Sequence, residues 1–173
     1  KHHESTSTTA EKSHLLAAGP TIVLALKAAE MLEELGISTD VWSVTSFNEL
    51  YRDALSCERW NRLHPLDDEK KSFLGSSLEN ETGVFVAVSD YMKTLSAKLT
   101  KWIPGEYVVL GTDGYGVSES RQELRDYYEI SAEYIALSAL DALARQGQRS
   151  REDVVAFIAE HQISPDKFNP ADL

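Results

Sequence analysis

The chain is poor in cysteine, proline, glycine and positive charge, and each shortage excludes something. A single cysteine, Cys57, rules out an internal disulfide and suits the reducing cytoplasmic compartment. Five prolines and nine glycines are too few for a low-complexity chain, and no internal repeat is present. No apolar run approaches the roughly 18–20 residues of a membrane span. No signal-peptide layout opens the sequence, so no membrane partner is expected. Seventeen Lys and Arg stand against 28 Asp and Glu, a formal net charge of −11. The basic residues are scattered, and phosphate neutralisation dominates nucleic-acid affinity, so nucleic acid is excluded as a partner.

Catalytic and metal-ligating constellations are equally scarce. His2 and His3 are adjacent near the start, the pattern of a tag or an unstructured arm. His64 and His161 fall on different predicted elements, with no ligand-spaced partner. Cys57 has no basic or helix-N-terminal surroundings to lower its pKa, and reads as a half-buried spacer thiol. Asp67, Asp68 and Glu69 read as a solvated loop. Trp42, Trp60 and Trp102 lie on separate elements as core or interface anchors. No catalytic residue, cofactor ligand or metal ligand is assigned from these side chains.

What is present is a core. With 42% hydrophobic residues over 173 positions, one globular domain is expected. Residues 1–12 are polar and without periodicity, and are expected to be a flexible arm or a truncated edge strand, with the domain proper at 13–173. An opening on Lys1 rather than methionine fits a cut-out domain or a processed product.

From 13 onward, strands and helices alternate. "SHLLAAGP" predicts a buried strand, with Pro20 at the start of a helix. That helix places Val23, Leu26, Ala29, Leu32 and Leu35 near one face, and Gly36 stops it. "TDVWSVTS" predicts a second strand. Ser46 and Glu49 form a capping box for a helix that breaks near Cys57 and ends at Pro65. A short helix follows in "SFLGSSLENE". "VFVAV" at 84–88 is an unbroken apolar run, as in a strand buried on both faces. Asp90 is positioned to cap the next helix, and "EYVVL" makes a fourth strand. Helices are expected from Arg121, over 132–146 and over 151–161. This alternation predicts a mainly parallel sheet with helices on both faces.

"VLGTDGYGVSESR" at 109–121 is the one stretch that invites a ligand. Phosphate loops work because backbone N–H groups and a helix N-terminus converge on an anion. Here the glycines stand at 111, 114 and 116. They match neither a Walker loop nor GxGxxG, and Asp113 would set a negative charge inside a phosphate nest. A tight corner followed by a Ser120–Glu123 capping box is the favoured reading. A stand-alone anion- or nucleotide-binding module using 111–121 is the alternative.

Four stretches in order, "DVWSVTSFNEL" (40–50), "ERWNRLHP" (58–65), "SDYMK" (89–93) and "VLGTDGYGVSESR" (109–121), resemble the C-terminal domain of the homodimeric bacterial pyruvate dehydrogenase decarboxylating component. This is a transketolase-like thiamine-diphosphate enzyme family. The tail "DKFNPADL" also resembles that family's C-terminus. "SFNEL" with "ERWN" favours this family over other transketolase-type enzymes, which remain an alternative.

The resemblance implies a three-layer α/β sandwich. Its mostly parallel sheet would have about five strands, one of them antiparallel and possibly supplied by Lys1–Glu4. It further implies that thiamine diphosphate and magnesium belong to other domains of the full-length enzyme, with no cofactor held by this fragment. The intact enzyme would decarboxylate pyruvate and reductively acetylate lipoyl groups on an acyltransferase core. This domain would be inactive alone and would support dimer assembly. Its partners would be the remaining domains, the homodimer partner and that core. If a surface site exists, it is expected at the C-terminal edge of the parallel strands, at Gly19, Ser46, Asp90, Asp113, Tyr115 and Ser118, or else those residues form a subunit contact. Cut from its neighbours, the domain is expected to expose an apolar patch.

Overall fold

A computed structural model describes residues 1–7 and 9–172. Four strands, β1 (Lys12–Ala18), β2 (Ser38–Val44), β3 (Val84–Val88) and β4 (Glu106–Leu110), pair all-parallel in the order β2-β1-β3-β4. Alternate residues along them feed opposite faces, as the pleat requires. Leu15, Ala17, Val41, Val84, Val86 and Val88 enter one core, while Leu16, Val44, Phe85 and Ala87 enter the other. All five residues of β3 are buried, which accounts for its uninterrupted apolar sequence.

The first core is covered by α1 (Ile22–Glu34), α6 (Ala132–Arg145) and α7 (Arg151–Glu160), and the second by α2 (Phe47–Leu63), α3 (Phe73–Leu78) and α4 (Lys93–Ala97). Between β4 and α6 lies the seven-residue α5 (Arg121–Tyr127). The result is the expected three-layer α/β sandwich. A fifth, antiparallel strand is not formed among the described residues. The Lys1–Glu4 arm makes one antiparallel bridge, His3 to Val41, on the outer edge of β2.

Several local expectations are corrected. In α1 the buried residues are Leu24, Ala25, Ala28, Ala29 and Leu32, whereas Val23 is 53% exposed. The helix packs against the alanine-rich face of α6 (Ala132, Ala136, Ala139), and small side chains let two helices approach closely. α2 runs unbroken through Cys57, although only its N-terminal half, Phe47, Leu50 and Tyr51, packs on the second core. Ser46 does accept the Glu49 N–H at 3.2 Å, but the Glu49 carboxylate turns to Arg52 instead of back to the Ser46 N–H, so only half of the capping box forms. Asp90 does not cap α4: that helix has Met92 at its N-cap with no side-chain bond, and the Lys93 N–H goes to Asp113 Oδ1 at 2.9 Å.

At the entry to the strands, backbones pack directly on one another. A Cβ at Gly83, whose φ is +111°, would fall well inside contact distance of the Lys12 carbonyl. Only glycine fits there.

Candidate functional site

In the order β2-β1-β3-β4 the chain leaves β1 in one direction for β2 and later resumes on the other side with β3. The strand ends of β1 and β3 therefore diverge at a topological switch point, where open α/β sheets leave a crevice. Thr21 occupies it. Its hydroxyl, buried, is shared between the carbonyls of Ala18 (2.8 Å) and Val88 (3.1 Å), one from each diverging strand. Above this floor is a cleft of about 310 Å³, bounded by Pro20, Asp90 and Thr112 from the strand ends and by Arg121, Arg125 and Tyr128 from α5 and its exit.

The glycine-bearing loop beside this cleft is a braced corner. Its N-terminal half is stitched to the loop after β3: Thr112 N–H donates to the Tyr91 carbonyl (2.9 Å), Thr112 Oγ1 to the Asp90 carbonyl (3.1 Å), and Asp113 accepts from Lys93 N. A Cβ on Gly111 would collide with the Tyr91 carbonyl, and one on Gly114 (φ +101°) with the carbonyl of Pro170 in the C-terminal tail. Gly111 and Gly114 serve close crossings of backbone, beside the Tyr91 and Pro170 carbonyls and a Lys93 N–H already taken by Asp113, whereas Gly116 has open space around it. That environment, with Asp113 among it, does not fit a diphosphate. The Ser120–Glu123 capping box then starts α5.

The six residues singled out at this edge separate into neighbouring settings. Asp90 lines the switch-point cleft, and Gly19 begins the short 3-10 turn Gly19–Thr21 directly under it. Asp113 faces the tail at a small crevice with Asn169 and Pro170. Tyr115 is 77% exposed, and its carbonyl accepts from Tyr128 Oη at 2.6 Å. Ser118 lines an open groove along α5 with Glu119, Glu123 and Lys167. Ser46 caps α2 beyond β2 and lines none of these cavities. Sequence reasoning passed over Arg121 and Arg125 as the cleft's cations. The available signal was two arginines at i and i+4, a like-charge pair that an isolated helix disfavours.

A second polar cluster, also unread in the sequence, sits at the opposite edge of the sheet. His14, Asp40 and Glu81 each offer a ligand atom within 4.8 Å of the others. Most of the cluster is already engaged without an ion: the buried Asp40 Oδ2, which accepts no hydrogen bond of normal geometry, is met by the ammonium groups of Lys1 and Lys12. His14 Nδ1 accepts from Trp42 Nε1 (3.2 Å), and Nε2 lies 3.0 Å from the Thr82 carbonyl, to which it donates. This pair of partners assigns the neutral Nε2–H tautomer. The ring stacks on Phe85 at 4.6 Å.

The Lys1 and Lys12 ammonium groups stand between the two carboxylates, 2.8–3.4 Å from them. A divalent metal does not fit a histidine with both nitrogens engaged and carboxylates already neutralised by lysines. Burial lowers the His14 pKa, against the opposing pull of the Thr82 carbonyl, Glu81 and Asp40. For Asp40, burial favours the neutral acid, but Lys1, the Ser5 amide and Lys12 outweigh it and bring the carboxyl down to about 2.

The fold and its C-terminal strand edge define a doubly wound α/β module with a crevice at its switch point. More narrowly, residues 2–131 match the model of the transketolase-like TK C-terminal domain, and the chain belongs to that family. Among curated relatives, it is 44% identical over 91% of its length to the "Pyruvate dehydrogenase E1 component" of Pseudomonas aeruginosa. It is 40% identical over 92% to the protein of the same name from Escherichia coli K12, and 37% over 94% to that of Mycobacterium tuberculosis. The chain spans 18% of the length of each of these relatives.

Two solved structures share the fold at 21% identity. One is a Pichia stipitis transketolase in complex with sedoheptulose 7-phosphate, with a TM-score of 0.54 over 83% of this chain and 19% of that one. The other is a split-gene transketolase described as an inactive beta4 tetramer, with a TM-score of 0.52 over 78% and 40%. Among the described residues, no helix is long and apolar enough to cross a membrane.

Proposed function

We propose that this chain is the C-terminal, non-catalytic scaffold of a pyruvate dehydrogenase decarboxylating component, and that it supports homodimer assembly of the full protein in the cytoplasm. The carrying observation is identity of 37–44% to pyruvate dehydrogenase components across more than nine-tenths of the chain, against 21% to transketolases. That contrast favours the dehydrogenase over other enzymes of the same fold.

In the full protein, thiamine diphosphate with magnesium would supply the electron sink for pyruvate decarboxylation, and the acetyl unit would pass to lipoyl groups of an acyltransferase core. Both groups would be held by other domains. The arrangement in this chain supports that division, because its glycine loop is spent on backbone crossings and its histidine–carboxylate cluster on lysine pairs.

The test assays the purified chain with pyruvate, thiamine diphosphate and magnesium. No turnover above background is expected, and measurable decarboxylation by this chain alone would refute the proposal. In the parent protein, deletion of this segment is expected to shift sedimentation from dimer to monomer. A deleted protein that stays fully dimeric would remove the assembly role.

A further inference from the structure

We propose that the cleft at the switch point between β1 and β3 binds a small oxyanion that carries a neighbouring hydroxyl group. The inference stands apart from the scaffold role and would survive its failure. Three observations carry it. The cleft has a volume of about 310 Å³, within the range of small-molecule pockets, and its floor is fixed by the buried Thr21 hydroxyl that ties the ends of β1 and β3.

Second, Arg121 and Arg125 sit one turn apart on α5 and line the same cleft. Among the described residues neither forms an ion pair; Arg59 and Arg62 on α2 are likewise unpaired but line no cleft together, whereas Arg52, Arg145, Arg149 and Arg151 are each paired with a carboxylate. In a chain with 28 acidic residues, two adjacent guanidiniums left without partners and facing one concavity form a ready fork for a phosphate or carboxylate.

Third, Asp90 lines the same cleft from the loop after β3 and pairs with neither arginine among the described residues. Its carboxylate disfavours a bare anion but accepts a hydroxyl hydrogen, so the preferred ligand presents an oxyanion to the arginines and a hydroxyl to Asp90. The threonine at 112 adds little, because its hydroxyl already donates to the Asp90 carbonyl. Tyr128, whose own hydroxyl is held by the Tyr115 carbonyl, offers a ring wall.

Isothermal titration of the full chain with inorganic phosphate, acetate and glycerol 3-phosphate tests this. Glycerol 3-phosphate is expected to bind most tightly, inorganic phosphate more weakly, and both to weaken as salt is added. The acetate arm separates carboxylate from phosphate recognition. R121Q removes an exposed side chain with no structural partner and is expected to weaken glycerol 3-phosphate by about tenfold, equivalent to ~1.4 kcal/mol. R125Q is expected to do the same. D90N is expected to tighten inorganic phosphate and erase the preference for glycerol 3-phosphate. Absence of binding by all three probes at millimolar concentration overturns the proposal, as does R121Q binding with unchanged affinity. If D90N leaves the order of affinities intact, the hydroxyl requirement falls.

Discussion

The buried histidine ties stability to pH through a single ring. Its folded-state pKa lies below the ordinary value near 6.5, so neutral His14 favours the fold at neutral pH and protonation favours unfolding. Unfolding free energy, and with it the melting temperature, is therefore expected to fall once the pH drops below about 6.5, the free energy by up to ~1.4 kcal/mol per pH unit. H14Q is expected to flatten that slope between pH 7 and 5. An unchanged slope in the variant would place the titrating group elsewhere. Asp40 acts at lower pH by the same sign: with its folded pKa at about 2, its contribution is present above pH ~4 and is lost on the way down to about 2. D40N is expected to cost about 2 kcal/mol in urea unfolding, less than a fully buried pair would, because Lys1 and Lys12 keep Glu81 and contact with water.

Among the elements, α4 and α5 show how starts are made. α5 carries its own signal, and S120A is expected to cost about 1 kcal/mol by removing the capping box. α4 borrows its signal from another loop. D113A is expected to cost about 1–2 kcal/mol, while D90A changes stability by no more than about 0.5 kcal/mol. Equal losses in the two variants would contradict the assignment of Asp113 as the cap.

This difference marks what a reader of the sequence can see. Ser120 and Glu123 are three residues apart, and β3 announces itself by five consecutive apolar residues, so both were legible. Asp113 and Lys93 are 20 residues apart, and His14, Asp40 and Glu81 are separated by whole crossovers, so neither grouping was. The buried face of α1 misled for another reason: Val23 and Leu35 outweigh Ala25 and Ala28 in hydrophobicity, but a close contact with α6 selects size. At the sheet's C-terminal edge, the region was legible from the strand alternation, and the pairing of Arg121 with Arg125 in one cleft needed the fold.

As a whole, the molecule presents apolar side chains beside its candidate site: Tyr91, Met92, Tyr115 and Val117 are 62%, 61%, 77% and 40% exposed. Patches of this kind accompany interfaces, and weak self-association of the isolated chain is expected in equilibrium sedimentation, lessened in an M92K/Y115K variant. A strictly monomeric wild-type chain at high concentration would count against a contact here. The backbone crossing at Gly83 carries a different consequence for assembly of the sheet. Because β3 is apolar throughout, sliding it two residues along β1 would keep every face greasy, and burial alone would tolerate the error. Such a slide would seat Glu81 or Phe85 against the Lys12 carbonyl, where no side chain has room. One missing methyl group thus acts as the alignment mark for a strand whose own composition supplies none.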